Sequence, residues 1–218
     1  KLAGQRKEAC NMDFNRLDGI ARQLMLNRRS HNERETGHVY YHGNRVMRGV
    51  MELRNAYTDD ASHDELLRAA ALFHDCGKAL EPHDMSGSAL VGEFLKDECT
   101  PDELKEIQRL IQGHDRRDGK ADMWLALLQD ADLLDHFGGM ETWLNFLYAA
   151  YHDQPISMSL DFYRNEYHVQ ADNNRAHLNL DISRRVFDEK VRFTYALASR
   201  LEVECSGAYI EQLTPAKH

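Results

Sequence analysis

Apolar residues recur every three or four positions along most of this chain, between short polar breaks, and no stretch alternates as a half-buried strand would. With only 4 prolines, the pattern predicts an all-α protein. Phe14, Leu17, Ala21 and Leu24 mark a first helix over 11–28, which leads into a polar loop at 28–32. Val39, His42, Val46, Val50 and Leu53 form the stripe of a second helix over 37–56. Ser62-His63-Asp64-Glu65 reads as a capping box that opens a third, with Leu67, Ala70, Ala71 and His74 on one face and Gly77 ending it. A loop over 79–85 carries His83, expected to be solvated or capping, and a short helix follows over 86–95.

Thr100-Pro101-Asp102-Glu103 is a helix start, with an N-cap threonine, proline at the first position and glutamate at the third. Leu104, Ile107, Ile111 and His114 then share a face. The next helix, 121–137, carries Leu125, Leu128 and Asp132 on one side, and Gly138-Gly139 separates it from a helix over 142–151. The stretch 153–158, containing Pro155, is the least regular and reads as a lid or pocket wall. A last scaffold helix is expected over 177–203, from Ile182, Val186, Phe193, Leu197 and Leu201, and an irregular tail beyond it. The organisation expected is a single-domain helical bundle. An N-terminal helix and loop, 1–36, pack on a core of 37–203, and 204–218 form the tail.

Several of these apolar faces carry a polar group. His42, His74 with its neighbour Asp75, and Asp132 come from three helices and point inward by periodicity. An inward histidine alone is ordinary, but buried carboxylates must be paired or coordinate a metal. One divalent ion answers all four at once. Two imidazoles with two carboxylates suit Mn, Fe, Co, Ni, Zn or Mg without choosing among them. An octahedral ion would leave room for a water, which it would acidify. Arg45, one turn beyond His42, reads as a substrate contact at the pocket mouth, whereas His38 falls off the stripe. Asp130 and Asp135 read as outer-shell or solvent-facing acids.

Composition narrows the partners. A chain of 218 residues is the size of one domain with a substantial core. Its net charge of -9 argues against a binder of long nucleic acid, while leaving room for a small anionic substrate beside a metal. Cys10, Cys76, Cys99 and Cys205 form no CxxC and suit reduced thiols. Neither a membrane-spanning apolar run nor the apolar region of a signal peptide is present, so a cytoplasmic protein is expected, with no membrane partner. Self-association as a homodimer is compatible with the sequence.

The ordered set His42-Gly43-Asn44-Arg45-Val46, Phe73-His74-Asp75-Cys76-Gly77-Lys78, Ile111-Gln112-Gly113-His114 and Gln129-Asp130-Ala131-Asp132 resembles the HD-domain superfamily of metal-dependent phosphohydrolases. It is most similar to the small bacterial members, some of which are nucleotide (pyro)phosphohydrolases. The likeness spans roughly 37–203. It implies a helical bundle with the metal in its core, and His42, His74, Asp75 and Asp132 as ligands. Lys78 matches a basic residue near substrate phosphate, and His114 a pocket histidine that donates a proton or contacts phosphate. Relatives often carry a basic residue directly after the last ligand, where this chain has Leu133.

The activity implied is hydrolysis of a phosphate ester or anhydride of a small metabolite by a metal-activated water, with Lys78 and His114 in catalytic roles and nucleotides the first class to test. Two alternatives remain. A di-iron oxygenase of the same superfamily would need His83 and His114 as further ligands, and a loop position for His83 counts against it. A regulatory or ligand-binding domain would hold the metal without turnover.

Overall fold

The computed structural model describes residues 12–208. Among the described residues there are ten α-helices and no strand. Helix α1, Phe14–Ala21, starts at Asp13, whose carboxylate accepts from the Asn15 and Arg16 amides. It passes into a π-helical turn, Arg22–Leu26, so the expected straight helix over 11–28 is shorter and ends in a wider coil. Leu17, Ala21 and Met25 bury that edge.

Helices α2, His38–Tyr57, and α3, Asp64–Phe73, pack on each other, with α5, Pro101–Gly113, against α3 and α6, Met123–Asp135, against α2. These four surround the core. Helix α6 is buried on every side from Ala126 to Leu134, which places acids on opposite faces of it inside the protein. Gly43 brings α2 close to α3: a Cβ there would stand 2.4 Å from the Leu72 carbonyl oxygen. That approach lets the side chain before it, His42, meet His74.

The capping box at Thr100 forms, with Glu103 Oε2 accepting from the Thr100 amide at 2.7 Å and Thr100 Oγ1 from the Glu103 amide at 3.4 Å. The one expected at Ser62 does not. Ser62 Oγ pairs with His63 Nδ1 at 3.0 Å, and Glu65 instead accepts from the Met12 amide, holding the start of the described chain. Helix α4 begins three residues earlier than expected, at His83, and runs to Phe94. Gly77 permits this: a Cβ there would stand 2.1 Å from the His83 carbonyl oxygen and 2.4 Å from the Gly87 nitrogen, so α4 lies directly on the turn after α3.

Beyond α7, Gly139–Tyr151, the irregular stretch is only a turn. Two unforeseen helices follow, α8, Ile156–Asn165, and α9, Tyr167–Ala176. Their buried positions are Ser159, Tyr163, Tyr167 and Ala171, a narrow stripe in which a serine and an alanine hide the apolar period. Helix α10 starts later and ends later than expected, at Asp181–Ser206, and packs on α6, α7 and α8. The expected tail from 209 onward and the start of the first helix at 11 lie outside the described residues. Among the described residues no helix is long and apolar enough to cross a membrane.

Candidate metal centre

His42 comes from the second turn of α2, His74 and Asp75 from the C-terminal end of α3, and Asp132 from the last turn of α6. Their ligand atoms converge. His42 Nε2 lies 3.1 Å from both His74 Nε2 and Asp132 Oδ1, and His74 Nε2 lies 3.4 Å from the same oxygen. Asp75 Oδ2 is 3.8 Å from each of the two ring nitrogens. All four residues are buried.

The opposite edge of each ring fixes its tautomer. His42 Nδ1 donates to Asp135 Oδ2 at 2.7 Å, and His74 Nδ1 donates to the Ala71 carbonyl at 2.8 Å. With a metal bound, each imidazole would be neutral and would turn an Nε2 lone pair inward. Two lone pairs and two carboxylates at one buried point repel unless positive charge lies among them. Titration expresses the same demand. Burial disfavours a charged His42, yet its hydrogen bonds to Asp132 and Asp135, with Asp75 nearby, push its pKa up to about 10. Asp132 is held well below the usual carboxylate range, although burial works against it, by hydrogen bonds to His136, His42 and His74. Asp75 turns its Oδ2 toward the two rings, while its buried Oδ1 has the Lys78 ammonium beside it. This donor set fits a divalent ion, with His42, His74, Asp75 and Asp132 to hold it.

Asp135 is neither solvent-facing nor idle. It supports the His42 ring from behind, as outer-shell carboxylates do. Arg45 is where the structure departs from expectation. Its guanidinium lies on Asp135, with Nε 2.9 and 3.1 Å from the two oxygens and Nη2 2.9 Å from Oδ2. That ion pair holds Arg45 behind the cluster, where it positions Asp135, and the expected place at a pocket mouth is not the one it takes. Asp130 also differs from expectation, being fully buried. Its carboxylate accepts from the Asn179 and Leu180 amides at 2.8 and 2.9 Å and pins the chain entering α10.

Lys78 Nζ lies 3.2 Å from Asp75 Oδ1, and His114 Nε2 lies 3.4 Å from the same oxygen. His114 Nδ1 donates to the Ile111 carbonyl at 2.6 Å. His83, carried in by α4, brings Nε2 to 3.3 Å from Lys78 Nζ and 3.9 Å from Asp75 Oδ1. A second triplet, Asp75, His83 and His114, is thereby gathered against the first.

Three further residues had no role assigned from the sequence. His136 Nε2 is 3.4 Å from Asp132 Oδ1, and its position one helical turn after Asp132 was the signal that could have found it. Arg117 reaches from the loop after α5 to place Nη2 3.7 Å from Asp132 Oδ2, while its buried Nη1 has no hydrogen-bond partner. Nothing in the loop's pattern announces that. His38, expected off the stripe, is buried with its ring parallel to His42, centroids 6.2 Å apart.

Leu133 and His136 also wall a cleft of about 620 Å³ that opens beside the cluster and extends under α7, α8 and α9. Arg34, Glu141 and Asn145 also line it.

Residues 39–140 match the family model of the HD domain, and this part of the chain is an HD domain. Its fold is that of HD-superfamily hydrolases. It aligns with Bacillus subtilis YpgQ in complex with ADP at a TM-score of 0.63 and 21% identity, over 88% of this chain and 99% of that one. An HD-superfamily hydrolase from Bacillus thuringiensis gives 0.65 and 18%, over 88% and 96%. A predicted HD superfamily hydrolase from an uncultured Thermotogales bacterium gives 0.60 and 19%, over 87% and 91%. No curated protein sequence matches the chain. The chain thus shares their fold, and it carries a His/Asp cluster able to bind metal.

Proposed function

We propose that this protein hydrolyses a phosphate ester or anhydride of a small phosphorylated metabolite, with nucleotides the leading class. The observation that carries the reading is the meeting of two inward Nε2 lone pairs and two buried carboxylates, with the cations Lys78 and Arg117 against their outer oxygens. A divalent ion held there would supply Lewis acidity to a water and to a phosphoryl oxygen.

The chain's own residues do the rest. Lys78 and the unpartnered Nη1 of Arg117 are placed to neutralise charge that grows on phosphoryl oxygens. Arg117 thereby fills the need for a cation that Leu133 cannot meet. His114 keeps its Nδ1 on the Ile111 carbonyl, so Nε2 is the nitrogen that exchanges protons. Burial resists charging of that ring, but Asp75 beside it raises its pKa, so it can hold a proton for a departing oxygen. Outside this chain, the structure of the B. subtilis protein with ADP supports a nucleotide.

The test is release of phosphate or pyrophosphate from a broad panel of phosphorylated metabolites by protein loaded with Mn2+ or Co2+. Turnover lost with EDTA and restored by metal is the expected result. Full metal loading with no turnover on any compound would favour a regulatory domain instead.

The Asp75, His83 and His114 triplet supports a second reading, a dinuclear centre with Asp75 shared between two ions. His83 sits on the first turn of α4, which removes the objection that a loop would hold it poorly. Metal analysis separates the readings: about one ion per chain supports the first, and two with oxygen consumption support an oxygenase.

A further inference from the structure

Helix α7 buries Leu144 and Ala149, but its remaining faces do not divide as those of a packing helix do. Trp143 and Tyr151 are 51% and 53% exposed, whereas Glu141 and Asn145, one turn apart, face inward. An amphipathic helix on a core shows the reverse. What Glu141 and Asn145 face is the cleft beside the metal centre, not a packed interior. The Glu141 carboxyl is 8% exposed and takes only long hydrogen bonds from the Tyr163 hydroxyl, at 3.3 and 3.4 Å. Asn145 Oδ1 is buried with no hydrogen-bond partner. A buried polar group left short of partners is costly unless something completes it. Two on one helix face, aimed into one cleft, describe a site waiting for hydrogen-bond donors.

We infer that this cleft receives the organic part of the phosphorylated substrate, and that this part is a nucleobase whose N–H edge is read by Glu141 and Asn145. The inference rests on the phosphohydrolase reading for the direction of the phosphate, which points to Asp132 past His136. The cleft's volume, about 620 Å³, suits a nucleoside-sized ligand. Its walls include Phe162, Tyr148, Met158 and Leu133, flat or apolar surfaces against which a planar ring stacks. Its lining also includes Glu141 and Glu166, which disfavour a second phosphate beside them. A planar, neutral, N–H-bearing ring satisfies all of these, whereas a sugar bisphosphate would set its second anion against the acids.

Binding of free nucleosides tests this without any turnover. Calorimetry is run on the metal-loaded protein with adenosine, guanosine, cytidine and uridine, and with ribose as control. We expect at least one nucleoside to bind at least about tenfold more tightly than the poorest, since buried polar groups reject a ring that leaves them unpaired. Glu141→Gln should bring that ratio to within about threefold, and Asn145→Leu should weaken the preferred nucleoside by about tenfold. A merely structural Glu141 would leave the ranking of bases untouched. No saturable binding of any nucleoside, ribose binding as well as the best of them, or an unaltered ranking in both variants would overturn the inference. Hydrolysis of phosphate esters without regard to base would remove it and leave the hydrolase standing. Nucleoside binding that depends on Glu141, without turnover of any phosphate, would do the opposite.

Discussion

Asp132 and Glu141 are each 8% exposed, yet their surroundings treat them in opposite ways. Asp132 on α6 is ringed by His42, His74, His136 and Arg117, and its carboxyl is held well below the usual range although burial works against that. Glu141 on α7 meets only the Tyr163 hydroxyl, and burial pushes its pKa up to about 7. Asp130 supplies a third case on the same helix as Asp132. It is fully buried, with its oxygens satisfied by the Asn179 and Leu180 amides and the Asn179 side chain. The contrast separates three uses of a buried acid. One completes the fold, one belongs to a centre that demands a fixed cation, and one is left short of partners beside a cleft.

The largest effect should come from removing charge at the cluster. Asp132→Asn keeps the shape of the side chain but halves the carboxylate pair. It should abolish stable metal binding and lower turnover by at least about 10³-fold. Metal analysis of the purified variant checks this, and full occupancy would mean that Asp132 is not a ligand and would dissolve the contrast with Glu141. Lys78→Met should be milder. The lysine touches Asp75 from outside the four-residue set, so metal should stay while turnover falls by about one to two orders of magnitude. Unchanged kinetics would leave Lys78 as a cation that only complements the end of α3.

How much of this was legible in the sequence follows the same division. His42, His74 and Asp132 each interrupt a strong apolar stripe, so helical period alone turns them inward and brings the four-residue set within reach. Fold class was legible for the same reason. What escaped depends on how helices approach one another. Arg45 sits at the expected helical position, but its partner Asp135 is 90 residues away, and periodicity on α2 cannot show it. His83 was misplaced because Gly77 lets α4 start early against the preceding turn, a backbone contact with no side-chain signature. Helices α8 and α9 bury a stripe that includes Ser159 and Ala171, too weak to read as a period. The cleft escaped too, because α7 turns Glu141 and Asn145 toward it alongside the buried Leu144 and Ala149, a mixed face that periodicity does not resolve.

Stability should divide the acids again, by a smaller margin. Asp130→Ala leaves the Asn179 and Leu180 amides buried without their acceptor, at an expected cost of about 3–5 kcal/mol. Denaturant melts measure it, with metal content read alongside. A loss of metal without a loss of stability would place Asp130 in the centre and not in the scaffold.

Glu141→Gln should move stability in the other direction, and only where pH allows. The carboxyl titrates near 7 in the fold against an ordinary value of 4.5, so the native state binds the extra proton between those limits. Stability therefore falls as pH rises from about 4.5 to about 7, and the full cost, of order 3 kcal/mol, is present above that. Glutamine cannot ionise, so the variant escapes the cost. At pH 8 it should be more stable than the parent by up to about 3 kcal/mol, and at pH 4.5 the two should melt alike. A buried residue whose replacement by an isostere stabilises the protein is one that the fold does not need, as expected for a residue kept for a ligand. Equal melting at both pH values would show that Glu141 is already satisfied in the native state, and it would then belong with Asp130.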